Sequence, residues 1–447
     1  MQKGVVRKRS NEVVFSKIEI APSIQENDLM SILPQLTSVL SSLWQRHLIS
    51  GPQEKFVLHL LLLWAAVRGR HNVLNLSRYS PYHEQSFRRH FAKEFAWGAF
   101  NAALLQTLVA PSHELMLAQD ASFVRKSGKK TAGLGTFYNG CAGRPERGLE
   151  LSLVSVVDLT QNSAYALHAK QSFPPTKAKA KAKAKAPAEP ERECPHLQHL
   201  RETQDYWPAG TTFLAVDGAY ARQNFIGGAC QLGLEVVSRL RCDANVRTLY
   251  TGEQKARGAK KLYDQKIRWK ELDLTLWNNE GELEPGVHLY SLIVNHVSLK
   301  RNIKIALLLP DKPTDKPTKK ATRQSHILLF CTDLDSSGRD IVRRYRARFY
   351  IEFLFRDAKS GAGLQHCQNR TASALAFAWN SSFAALNVAK LDQINTQHTS
   401  FSWASTHQKC ANEHLLQLFC SKLDLDWSVV QSHPQYHSLV NYGAITT

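Results

Sequence analysis

The chain is short of acid. Its 447 residues hold 38 Asp and Glu against 57 Lys and Arg, a formal net charge of +19. An imbalance of that size points to a polyanionic partner. Paired cysteines are missing too. The eight cysteines (141, 194, 230, 242, 331, 367, 410 and 420) are scattered and form no CxxC pair. That disfavours a zinc site or a disulfide framework and is the pattern of reduced thiols inside a cell. Long apolar runs are absent. The most apolar stretch, FVLHLLLLWAAV at 56–67, carries a histidine and is too short to span a bilayer. The first 15 residues lack the apolar core of a signal peptide. No long basic amphipathic helix or lipidation motif appears, so no membrane partner is expected. These absences place the protein in the cytoplasm or on DNA.

A chain of this length can hold two to three domains. Residues 1–110 read as a helical region with a loosely ordered start (1–27). Phe56–Arg68 is a buried helix, Asn72–Tyr79 a short segment, and Tyr82–Trp97 an amphipathic helix carrying Arg88, Arg89 and Lys93. That order is similar to a helical DNA-binding unit. Residues 111–242 turn to strands. ELMLAQDASFV, LGTFYN and GLELSLVSVVD, joined by short turns, predict an antiparallel meander. The Lys/Ala segment at 174–193 is low in complexity and reads as a solvated linker or loop. A helix near His196–Trp207, the strand TTFLAVDGAY, a short helix and the strand LEVVSRLR follow. Strand, helix, strand after a meander predicts an α/β sheet covered by helices. Residues 243–325 read as a β-rich insertion ending in the Pro/Lys loop 311–320. Residues 326–395 return to the core, and 396–447 form a mixed C-terminal region.

The segment 341–360, IVRRYRARFYIEFLFRDAKS, predicts one helix free of Pro and Gly. Ala347, Ile351, Leu354 and Ala358 make one apolar stripe. At about 100° per residue, Tyr345, Arg348, Glu352 and Lys359 fall within roughly 60° of arc on the opposite side. Two aspartates lie upstream, Asp120 in the apolar strand LMLAQD and Asp217 at the end of FLAVD. An ionised carboxylate beside an apolar strand is costly unless something pairs with it. If the fold gathers Asp120, Asp217 and Glu352, a cation is the natural remedy for their repulsion. Oxygen-only ligands favour Mg²⁺ or Mn²⁺ over zinc. Two such ions can activate a water or a 3′-hydroxyl for in-line attack on phosphate. Tyr345, Arg348 and Lys359, with Arg344 beside them, would then hold the DNA backbone near the metals, Arg by a bidentate phosphate contact and Lys as a point charge. The turn after the first strand, with Arg125, Lys126, Lys129 and Lys130, reads equally as a DNA contact or a solvated turn.

On these residues the chain resembles a bacterial DDE transposase of the insertion-sequence class. Tyr345, Arg348, Glu352 and Lys359 match its Y-x2-R-x3-E-x6-K signature at every position. AQDASFVRKSGKKT and FLAVDGAY resemble the first and second aspartate strands, and HCQNR (366–370) also looks familial. The resemblance covers roughly residues 110–375. It implies an α/β, ribonuclease-H-like core interrupted by a β-rich insertion, with Asp120, Asp217 and Glu352 binding two Mg²⁺ ions. It implies cut-and-paste transposition of double-stranded DNA: nicking at terminal inverted repeats, second-strand release, and joining to target DNA. A homodimer on DNA, association with the nucleoid and no small-molecule substrate follow from that reaction. Tryptophan in the insertion stabilises a flipped base in some members; Trp269 and Trp277 are the candidates, with core packing as the competing role. Two rivals remain: another ribonuclease-H-like nuclease, and a DNA-binding protein descended from a transposase without its chemistry.

Overall fold

Pro and Ser signals start the first helices. α1 (Leu33–Gln45) has Pro34 in its first turn, and α2 (Gly51–Ala66) opens on a capping box of Ser50 and Gln53. These and the elements below come from a computed structural model that describes residues 32–174, 194–269, 271–311, 326–395 and 401–445. The first 27 residues, the Lys/Ala segment apart from Pro174, and the Pro/Lys loop apart from Asp311 lie outside those ranges. α3 (Val73–Arg78) is capped by Asn72, whose Oδ1 accepts from Asn75 N at 2.9 Å. The helix predicted over 82–97 is divided into α4 (Glu84–Phe91) and the start of α5 (Trp97–Leu108). Residues 91 and 97 would lie about 120° apart on one straight helix. The break lets both rings reach Phe377, at centroid distances of 4.7 and 5.2 Å.

Twelve strands form a single sheet. In chain order they are β1 (Leu115–Arg125), β2 (Gly135–Asn139), β3 (Arg144–Asp158), β4 (Ser163–Ser172), β5 (Phe213–Val216), β6 (Glu235–Leu240), β7 (Val246–Leu249), β8 (Tyr263–Lys266), β9 (Asn278–Glu284), β10 (Val287–His296), β11 (Arg301–Pro310) and β12 (Ile327–Cys331). Their spatial order is β2-β3-β1-β5-β6-β12-β11-β10-β7-β8, with β4 on β3 and β9 on β10. The expected meander is rearranged. β3 is the centre, pairing with β1 on one side and with β2 and β4 on the other. Its 15 residues are long enough to serve β2 with one end and β4 with the rest. β1, β5 and β6 run parallel, and β12 joins β6 antiparallel. Residues 243–325 supply β7 to β11, which lengthen this same sheet beyond β12.

Helices cover both faces. α6 (Pro195–Glu202) leads from β4 into β5, and α7 (Gln223–Gln231) connects the parallel strands β5 and β6. After β12 come α8 (Gly338–Ala347), α9 (Tyr350–Ser360) and α10 (Ala372–Asn395). The C-terminal region is helical, with α11 (Trp403–Lys422), α12 (Trp427–Ser432) and α13 (Tyr436–Val440). α10 is buried on every side between the sheet and the N-terminal helices. It also closes the open edge of β4. Asn380 exchanges hydrogen bonds with the Ala169 backbone at 2.9 Å in both directions, and Asn387 does the same with Ala166 at 3.0 and 2.8 Å. The amides replace the missing neighbour strand. Among the described residues no helix is long and apolar enough to cross a membrane.

Candidate functional site

Two parallel strands bring the aspartates together. In the β1–β5 register Gln119 sits opposite Val216, so Asp120 and Asp217 are the next pair along. Neighbouring strands lie about 4.8 Å apart. Gly218 lets β5 end in close contact with β6, because a Cβ there would stand 3.0 Å from Arg239 O. Alternation along β1 points Asp120 and Ser122 to one face and Gln119 to the other. Gln119 bonds His196 O on the α6 side at 2.9 Å, whereas Ser122 Oγ accepts from Lys359 Nζ of α9 at 2.6 Å. Asp120 therefore faces α9.

The long helix expected over 341–360 is bent where it crosses this point. α8 ends at Ala347 and α9 starts at Tyr350. Between them Phe349 N, Ile351 N and Glu352 N bond three residues back, to Arg346, Arg348 and Phe349. This is a single tightened turn without Pro or Gly. The cause is the sheet beneath. α8 packs on β6, β11 and β12, while α9 packs on β1, β3 and β4. Adjacent strands rotate by about 20–25°, so one straight helix cannot follow both halves. The bend puts Arg348 over the junction. The apolar stripe survives it: Ala347, Ile351, Leu354 and Ala358 are all buried.

Arg348 links two of the acids. Its Nη1 is 3.6 Å from Asp120 Oδ2, and its Nη2 donates to Glu352 Oε1 at 2.9 Å. The Tyr345 ring lies 5.6 Å from the same guanidinium. Burial pushes the Asp120 carboxyl up to about 6. Arg348 and the Ala121 N–H oppose that rise, and the charges of Asp217 and Glu352 add to it. Burial also lowers the Lys359 ammonium and raises the Tyr345 phenol. The site thus holds more carboxylate than its one bridging guanidinium neutralises. With Arg348 between Asp120 and Glu352, the acids are not gathered around a common point. Among the described residues no three His, Cys, Asp or Glu side chains are spaced to hold one metal ion.

Other sequence candidates stand apart. Arg344 turns away from the acids toward Glu114 at 3.6 Å, Ser336 Oγ at 3.1 Å and the Phe213 ring at 3.7 Å. Trp277 is buried. Trp269 donates to Ala244 O at 2.7 Å and stacks on His326, so both indoles are built into the packing of the insertion. Arg88 pairs with Glu84 on the exposed face of α4, and Arg89 reaches back to Gln85 O. Lys126 reaches across to Cys367 O in the loop after α9. Sequence reasoning missed Ser122, the partner of Lys359. A serine two residues beyond an aspartate on the same strand face was the available signal.

Residues 54–283 match a family model described as DDE superfamily endonuclease, and residues 192–388 match one described as Transposase DDE domain. The first span includes Asp120 and Asp217, and the second includes Asp217 and Glu352. No curated protein matches the chain.

Proposed function

The chain belongs to the DDE superfamily endonucleases, and from that premise we propose that it is a cut-and-paste DNA transposase of the insertion-sequence class with Asp120, Asp217 and Glu352 as its acidic triad. One observation carries the proposal: parallel strands set Asp120 beside Asp217, and Arg348 ties Asp120 to Glu352. The strand order β4-β3-β1-β5-β6, three antiparallel strands followed by two parallel ones, supports a ribonuclease-H-like core. Strands β7 to β11 interrupt it before the third acid.

The donors fit Mg²⁺, with Mn²⁺ as substitute. They are all oxygens, and Asp120, whose carboxyl burial raises with Asp217 and Glu352 adding to the rise, would gain from a hard cation beside it. Asp120, Asp217 and Glu352 would hold two ions, which supply activation of the attacking oxygen and stabilisation of the leaving one. The chain's own residues do the rest. Arg348 exchanges its carboxylate contacts for a phosphate of the bound strand, with two donors in a planar fork. Lys359, held by Ser122 on the same strand as Asp120, adds a point charge beside it. The Tyr345 phenol, neutral through burial, serves as a hydrogen-bond donor. In the first step water oxygen attacks phosphorus at the element's end, and the P–O3′ bond breaks to leave a 3′-hydroxyl and a 5′-phosphate. After second-strand release, that 3′-hydroxyl attacks a target phosphodiester, forming one P–O bond as another breaks. Synapsis of two ends requires at least a dimer on DNA.

The test is the product set formed by purified protein on its own DNA ends with Mg²⁺. Wild type should nick the ends and join pre-nicked ends to target. Glu352→Gln should keep end binding and lose nicking by about 10³-fold or more. Undiminished cleavage by that variant removes Glu352 from the chemistry. Nicks without joined product would identify a simple nuclease, and binding without either product an inert descendant.

A further inference from the structure

We propose that the cleft between the turn after β1 and the loop after α9 is a phosphate clamp, holding the DNA backbone about three nucleotides from the bond that is cut. This rests on the reading of Asp120, Asp217 and Glu352 as the cutting site. The cleft encloses about 700 Å³. Three separate pieces of chain line it: Arg70 from the N-terminal helices, Lys126, Lys129 and Lys130 from the turn, and His366 and Arg370 from the loop. No carboxylate is among its lining residues. Among the described residues, Arg70, Lys129, Lys130 and Arg370 form no ion pair, whereas Arg343, Arg344 and Arg346 of α8 each have an acidic partner. Gathering like charges is unfavourable unless an anion sits among them.

The cleft is also built rather than loose. Ala132 N donates to Arg370 O at 2.8 Å, and Lys126 Nζ donates to Cys367 O, so turn and loop are tied together. His71 N donates to His366 Nδ1 at 3.2 Å, tying the loop to the N-terminal helices. That contact needs Gly363. Its φ is +76°, and a Cβ there would stand 2.4 Å from the His71 Cβ. With Nδ1 accepting, the neutral His366 ring keeps its proton on Nε2 and can donate it to an anion. Burial and the neighbouring Arg70 hold this ring below its ordinary pKa.

Distance names the ligand. Arg125, where β1 ends and the turn begins, is five residues beyond Asp120, about 17 Å along an extended strand. Phosphates on one DNA strand rise about 3.4 Å each along the duplex axis while winding around it, so about three steps join the two places.

The experiment measures binding of full-length protein to a duplex end without Mg²⁺ across a salt series. The triple variant Lys129→Ala, Lys130→Ala, Arg370→Ala should lower the slope of log K against log salt by roughly 2–3, about 0.9 per lost contact. Its affinity at ~0.1 M salt should fall at least tenfold. In parallel, neutral methylphosphonates are scanned along the DNA with wild-type protein, so the result does not depend on a variant folding. A loss of affinity centred about two to four nucleotides from the cut supports the clamp, and its disappearance in the triple variant ties it to these residues. An unchanged slope in the folded variant, or a maximum elsewhere, overturns it. Inorganic phosphate binding wild type more tightly than duplex, and lost in the variant, would assign the cleft to a free anion and also overturn it. Normal cleavage by Glu352→Gln with a reduced slope in the triple variant would fault the cutting site and leave phosphate binding in the cleft intact.

Discussion

Arg344 and Arg348 are one helical turn apart and equally enclosed, with side chains 13% and 11% exposed, yet one serves the start of β1 and the other its middle. Glu114 and Asp120, their partners, are about 20 Å apart along an extended strand. The helix advances only about 6 Å between the two arginines. The guanidiniums must therefore splay in opposite directions, and the bend after Ala347 assists this. At the start of β1 cations outnumber the carboxylate. Arg343 and Arg344 share Glu114, and Arg344 rests on Phe213. In the middle of the strand Arg348 faces Asp120 and Glu352 with Asp217 beside them, and here the carboxylates outnumber the guanidinium. Two arginines of the same helical stretch thus differ in purpose. One fastens the helix to the sheet, and the other stands where the protein keeps surplus negative charge.

The comparison is sharpest if each arginine is removed in turn. Arg348→Ala should reduce DNA cleavage by roughly 10²-fold, the scale of one lost electrostatic contact in the transition state. It should also tighten Mg²⁺ binding measured calorimetrically without DNA, because the resident counter-charge is gone. Weaker Mg²⁺ binding would break the contrast. Arg344→Ala should do the reverse: urea unfolding would show a loss of roughly 2 kcal/mol from the cation–π and ion-pair contacts, with cleavage per folded molecule unchanged. A cleavage defect at full stability would merge the two sites into one.

The smallest effect is a pH dependence. The Asp120 carboxyl, moved by burial from 3.8 to about 6, binds a proton more readily folded than unfolded. Between about pH 4 and 6 the folded state then holds more protons, so this group's contribution to stability falls as pH rises. Asp120→Asn abolishes that term. Its stability relative to wild type should climb by roughly 1–2 kcal/mol from pH 4 to 7, read from urea midpoints at each pH. A constant difference would show that burial does not raise the Asp120 carboxyl.

Part of this was legible residue by residue. The buried stripe of α8 and α9 follows from helical periodicity alone, and β1, β5, β6 and β12 announce themselves as apolar runs. β4 did not, because it is buried on both faces and its SAYALHAKQS lacks clean alternation. Its edge is completed by Asn380 and Asn387, polar residues in the middle of a helix that no local pattern explains. The bend at Arg348 has no breaker residue. Trp269 and Trp277 lie close in sequence to the expected insertion strands, but their indoles are built into its packing.

The order of residue types determined a good deal by itself: a basic chain, a mixed sheet with helices, a helix carrying Tyr345, Arg348, Glu352 and Lys359, and two aspartates on apolar strands. Those are statements about neighbours in the chain, where spacing and hydrophobicity suffice. Which acids meet, where the helix bends and which cations stay unpaired were decided only by tertiary structure. Parallel pairing sets Asp120 beside Asp217, sheet twist divides the helix, and the packing of three distant segments gathers Arg70, Lys129 and Arg370 around one cleft. Electrostatic energy depends on distance through space, and a sequence records only distance along the chain.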